Sequence, residues 1–132
     1  MATRAHRLLT LAEKVRLRQI TETIERETGV EIAILLVPHV DDVGAFATSY
    51  FNHVGVGKRG HDNGILILVV IDRRIVRIEV GRGLAAAVTP DAAQKIIDGA
   101  IAPQFRLGRY GEGLLRGAEA LGHLVRAGAG AR

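Results

Sequence analysis

The chain has 132 residues, no cysteine, no tryptophan, 48% hydrophobic content and a formal net charge of +4. That length makes one domain able to fold unaided, and the absence of thiols excludes disulfides and thiolate chemistry. The longest apolar run, residues 65–71, falls far short of the ~20 residues a membrane span needs, and Glu13 and Lys14 interrupt Leu8-Leu9 before a signal-peptide core develops.

The elements follow in chain order. Thr10-Leu11-Ala12-Glu13 is a capping-box pattern, in which hydroxyl and carboxylate each satisfy a free backbone N–H. It predicts a helix over 11–28 with Leu17, Ile20 and Ile24 on one face and Gly29 as its stop. Residues 32–37 are apolar on both faces, as in a covered central strand, and Pro38 ends them. A second helix is expected over 43–53, with Phe46, Tyr50 and Phe51 on one side. Residues 65–71 read as another central strand. After a turn at Asp72-Arg73-Arg74, residues 75–80 alternate Val76, Ile78 and Val80 with Arg77 and Glu79, the pattern of an edge strand with one wet face. Thr89-Pro90-Asp91 starts a third helix, which presents Ala93, Ile96, Ile97, Ala100 and Ile101 and stops before Pro103. A last helix over 110–125 carries Leu114, Ala118, Leu121 and Val125 on one stripe, with Gly111, Gly113, Gly117 and Gly122 permitting close packing at the cost of helix propensity.

This order predicts a three-layer α/β/α sandwich. Its mixed sheet has two central apolar strands, parallel through a crossover, and an antiparallel edge strand from the hairpin, with helices on both faces. Residues 1–9 are expected as an N-terminal arm, 10–126 as the domain and 127–132 as a flexible tail. A soluble, cytoplasmic location is the matching expectation.

Most chemical signatures fail on context. Gly81-Arg82-Gly83-Leu84-Ala85-Ala86 matches a dinucleotide fingerprint, but its strand belongs to a hairpin and the next helix start lies at Thr89. Ser49, the only serine, is not on a nucleophile elbow. His6, His39, His53, His61 and His123 form no i,i+4 pair for zinc. No aromatic platform interleaves with the basic residues, so nucleic acid is not an expected partner. Asp62 and Asp72 are separated by a strand of ~3.3 Å per residue, over ~20 Å in all, and cannot share a site. Antiparallel pairing instead returns residues 81–84 to the Asp62 end. Asp62, Asn63, Gly81, Arg82, Thr89 and Asp91 are therefore expected to converge at one end of the sheet, beside the basic loop of Lys58, Arg59 and His61. Asp62 and Asn63 also suit a simple turn into the strand, and His61 a solvated loop position.

Taken together, Thr28-Gly29-Val30-Glu31-Ile32, Gly55-Val56-Gly57, Asp62-Asn63-Gly64, Asp72-Arg73-Arg74, residues 79–84, Pro103 and Gly108-Arg109-Tyr110-Gly111 give the chain an order and spacing that resemble the TPM domain family. The resemblance covers about residues 10–125 and implies the same α/β/α sandwich. It also implies weak acid phosphatase activity, divalent-cation binding (calcium or magnesium) and protein assembly or repair at membranes. Three positions at which the family carries carboxylates hold Ala85, Pro90 and Arg109 here, while Asp62 matches and Asp91 lies one residue late. Hard cations need several converging oxygens. The leading expectation is thus a non-catalytic interaction or regulatory module that takes a partner protein or anionic ligand through Lys58, Arg59, His61, Asn63 and Arg82. The alternatives are calcium binding without catalysis, or a weak metal-dependent phosphatase. In the latter Asp62 is metal ligand or nucleophile, Asp91 completes the site and Arg82 holds phosphoryl oxygens.

Overall fold

The computed structural model describes residues 8–54 and 63–130. Helix α1 (Leu11–Thr28) leads to strand β1 (Glu31–Val37), helix α2 (Val43–Val54), strand β2 (Gly64–Val70) and strand β3 (Ile75–Val80). A 3₁₀ turn (Arg82–Leu84) precedes a long helical run made of α3 (Pro90–Ile96), a π segment (Ile97–Ile101) and α4 (Ala102–Arg106), and α5 (Tyr110–Gly130) closes the fold. The predicted caps are in place. Thr10 Oγ1 accepts from the Glu13 N–H and the Glu13 carboxylate accepts from the Thr10 N–H, while Gly29 takes the left-handed conformation at φ 77°. Asp42 Oδ1 accepts from the Ala45 N–H at 3.0 Å and begins α2, and Thr89 caps α3 with Pro90 in the first turn.

The sheet order is β1-β2-β3, with β1 parallel and β3 antiparallel to β2. Every residue of β2 is buried. Ile65, Ile67 and Val69 face the larger core with α1, the π segment and α5, whereas Leu66, Leu68 and Val70 face a smaller core with Ala47 and Phe51 of α2. The sandwich is as the sequence predicts, with one difference: among the described residues only β2 has a strand on both sides. Strand β1 lies at an edge and is half-buried along most of its length. Apolarity on both faces reports cover above and below the strand and says nothing about a neighbour alongside. Strand β3 is the other edge, and its Arg77 Nε donates to Glu79 Oε1 at 2.9 Å.

Three boundaries also differ from the sequence reading. Leu9 is buried in the larger core, so the domain begins before Thr10. Helix α5 continues to Gly130, beyond the expected start of a tail at 127, because α1 and α5 lie side by side and Gly128 packs against Ala87. Pro103 does not end its helix. A proline in an α-helix lacks one N–H and its ring crowds the carbonyl four residues back. Here the π segment shifts the register, the Ala102 N–H bonds to the Ile97 carbonyl, and Pro103 falls in the first turn of α4, where no N–H is required.

Helices α1 and α5 run in the same direction, since Gly111 faces Glu13 at one end and Gly122 faces Ile24 toward the other. The run from α3 to α4 returns antiparallel to α5, with Phe105 against Gly113 and Ile101 against Gly117. The glycines of α5 therefore mark where three helices approach closely.

Candidate functional site

The sheet end at which β2 begins and β3 finishes brings together those of the sequence-predicted residues that the structure describes: Asn63, Gly81, Arg82, Thr89 and Asp91. The Gly81 N–H donates to the Gly64 carbonyl at 2.8 Å, and the Glu31 N–H donates to the Asn63 carbonyl at 3.1 Å. Asn63 Nδ2 donates to the Gly29 carbonyl at 2.7 Å, which ties the C-cap of α1 to the start of β2. The Leu84 N–H returns to Gly81, the Val88 N–H returns to Leu84, and Thr89 starts α3 directly afterwards. Ala87 touches Gly128 near the C-terminal end of α5, which places this turn at the same end of the molecule.

At this end Arg82 and Asp91 are exposed, Arg82 on the 3₁₀ turn and Asp91 in the first turn of α3. The amide nitrogen of Asn63 is committed to the backbone, so turn-making accounts for that group. Lys58, Arg59, His61 and Asp62 lie outside the described residues. Among the described residues no three His, Asp or Glu side chains are grouped as a metal site.

Ala85 and Pro90, two of the positions where family carboxylates are expected, sit exposed at this end. Arg109 does not. It precedes α5, whose first turn packs on Glu13 of α1. From Gly111 to Gly128 the helix rises about 25 Å at ~1.5 Å per residue, so Arg109 belongs to the opposite end of the molecule. There it lines an open cleft of about 540 Å³ with Leu8, Glu13, Tyr110, Glu112 and Arg116. Arg116 Nε donates to Glu112 Oε2 at 2.7 Å, so this cleft holds a paired cation beside Arg109.

A second cluster, not singled out from the sequence, lies at the far end of the strands. His39 Nδ1 is 2.6 Å from Asp72 Oδ2, and Nε2 is 2.9 Å from Asp41 Oδ1. Hydrogen bonds to Asp41 and Asp72, with the Asp72 charge adding, raise the His39 pKa above its ordinary 6.5. The parallel pairing of β1 and β2 creates this contact by bringing residues 38 and 72 together, with the Asp72 N–H on the Pro38 carbonyl. No local sequence spacing signals it.

These features define a three-layer α/β/α domain built on a parallel strand-helix-strand unit and a hairpin, with its Gly-rich turn and a helix start gathered at one sheet end. The TPM domain family model matches residues 3–124, and the chain belongs to that family. The solution structure of the N-terminal domain of a protein from P. gingivalis is similar at 30% identity and a TM-score of 0.84, covering 93% of this chain and 80% of that one. The BA42 protein from the psychrophilic bacterium Bizionia argentinensis is similar at 26% identity and a TM-score of 0.80, covering 90% and 82% of the two chains. No curated protein matches the chain. Among the described residues no helix is long and apolar enough to cross a membrane.

Proposed function

We propose that this TPM domain is a non-catalytic interaction module that binds an anionic ligand, such as an acidic segment of a partner protein, at the sheet end carrying Arg82. The observation that supports this reading is the pairing of an exposed Arg82 with uncharged Ala85 and Pro90 on the same turn-to-helix connection. Each carboxylate replaced by an apolar residue removes a ligand from a hard cation and a repulsion from an anion. Lys58 and Arg59, which shortly precede β2 in the sequence, add to the cationic side by sequence. Asp62 and Asp91 are too few carboxylates for tight calcium binding unless backbone and water oxygens complete the shell.

Amide NMR of the labelled chain tests the reading by titration with inorganic phosphate and with calcium in parallel. Saturable phosphate shifts at residues 81–84, weakened about tenfold or more in Arg82→Ala with the fold retained, are expected. Calcium shifts confined to residues 89–91 and to Asn63, with none from phosphate, would overturn it in favour of cation binding. Turnover of an aryl phosphate that vanishes in Asp62→Asn would overturn it in favour of a phosphatase.

A further inference from the structure

We propose that the chain forms a two-fold dimer by antiparallel pairing of β1 with β1 of a second copy, extending the sheet across both molecules. The Glu31 N–H bonds to Asn63 and the Val37 carbonyl accepts from Ile71. With the register Glu31↔Gly64 through Val37↔Val70, the odd-numbered residues of β1 therefore bond to β2. The N–H and C=O groups of Ile32, Ile34 and Leu36 point away from β2, along an edge where no other strand pairs among the described residues.

Edges of this kind are ordinarily guarded by charge, proline or a bulge. Strand β3 follows that rule with Arg77 and Glu79, flanked by Arg74 and Arg82. Strand β1 has no charged residue, proline or glycine from Ile32 to Val37. A two-fold axis through Ile34 places Ile32 opposite Leu36 and Ile34 opposite itself. All the outward groups of these residues then form hydrogen-bonded pairs. The same register puts Ala33 opposite Leu35, small against large, on the face toward α2. Glu31 lies opposite Val37 and not opposite a second Glu31. Helix α2 packs over β2 and β3, and Ala33, Leu35 and Val37 are left half-buried for a second copy to cover.

An independent observation lies on α1. This helix packs on β1 and on α5. Glu13 and Ile24 face α5, so at ~100° per residue Leu11, Val15, Arg18 and Glu22 occupy the side turned away from α5. Among the described residues the sheet extends from β1 only toward β2, so that side looks out beyond the edge of β1. Leu11 is 76% and Val15 48% exposed there, two of the large hydrophobics left most open to solvent. Pairing of the β1 edges brings two α1 helices together antiparallel. Arg18 and Glu22, both exposed on that side, then meet as reciprocal ion-pair partners.

Sedimentation equilibrium of the full chain tests the proposal, together with isotope-filtered NMR on an equal mixture of labelled and unlabelled protein. A dimer is expected, with an intermolecular cross-peak between Hα of Ala33 and Hα of Leu35, the close non-hydrogen-bonded pair of this register. Val15→Arg, on an exposed helical position, is expected to raise the dimer Kd about tenfold or more while leaving the circular dichroism spectrum unchanged. A chain that stays monomeric at about 1 mM overturns the proposal and leaves the edge to an extended peptide of another protein. A dimer without that cross-peak, or one whose Kd is the same in Val15→Arg, overturns it as well.

Discussion

Arg74 is the one non-glycine residue with positive φ among the described residues, at 55° in the turn between β2 and β3. An L-residue pays ~1–2 kcal/mol for the left-handed conformation, while glycine there loses ~0.5–1 kcal/mol more chain entropy. Arg74→Gly is expected to stabilise the domain by about 0.5–1 kcal/mol, read from urea unfolding midpoints. His39 makes a second residue-scale prediction. Its folded pKa is raised above 6.5 by Asp41 and Asp72, so its stabilising contribution is fully present below about pH 6.5 and is lost as pH rises through the folded value. The NMR titration of His39 should give a pKa above 6.5 that falls in Asp72→Asn. The melting temperature gap between the native chain and His39→Ala should shrink on going from pH 5.5 to pH 8. A constant gap would show that the His39 charge does not contribute.

At the scale of elements, α5 owes its position to glycines that look unfavourable in isolation. A Cβ at Gly117 would stand 2.7 Å from Ile101 Cδ1, and Ile101 is itself fully buried against the larger core. Gly117→Ala is therefore expected to cost about 1–3 kcal/mol through forced repacking, although alanine is the better helix former. Gly99, exposed in the π segment, has nothing within 4 Å of such a Cβ. Gly99→Ala should stabilise by about 0.5–1 kcal/mol, so the two substitutions move in opposite directions in the same thermal melt. Both helices were legible from Thr89-Pro90-Asp91 and from the apolar stripe of α5, because capping chemistry and helical spacing are local. The π segment was not, since Pro103 reads as a stop until packing of Ile101 and Phe105 on α5 holds the run together.

On the scale of the whole molecule, β2 separates two cores and serves both. Ile67 is fully buried in the larger core and Leu68 in the smaller one. Truncating either to alanine is expected to cost about 2–5 kcal/mol, and the two losses should add approximately only if the cores pack independently. A double variant whose loss in chemical denaturation departs from the sum by more than about 0.5 kcal/mol would show that the sheet couples them.

What the sequence determined by itself was local or periodic: the capped start of α1, its stop at Gly29, the unbroken apolar run of β2, the turn at Asp72 and the start of α3. From these the α/β/α class follows, and the antiparallel return of β3 brings Asn63, Arg82 and the Asp91 helix start to one sheet end. Tertiary structure alone decided which strand is central, because burial on two faces and pairing on two edges leave the same apolar signature in a chain. It also decided that Arg109 stands at the end of α5 far from Arg82, since that helix rises about 25 Å from Gly111 to Gly128, which packs on Ala87 beside the Arg82 turn. The union of His39 with Asp72 came likewise from strand register, which links residues distant in sequence through backbone hydrogen bonds that carry no side-chain code.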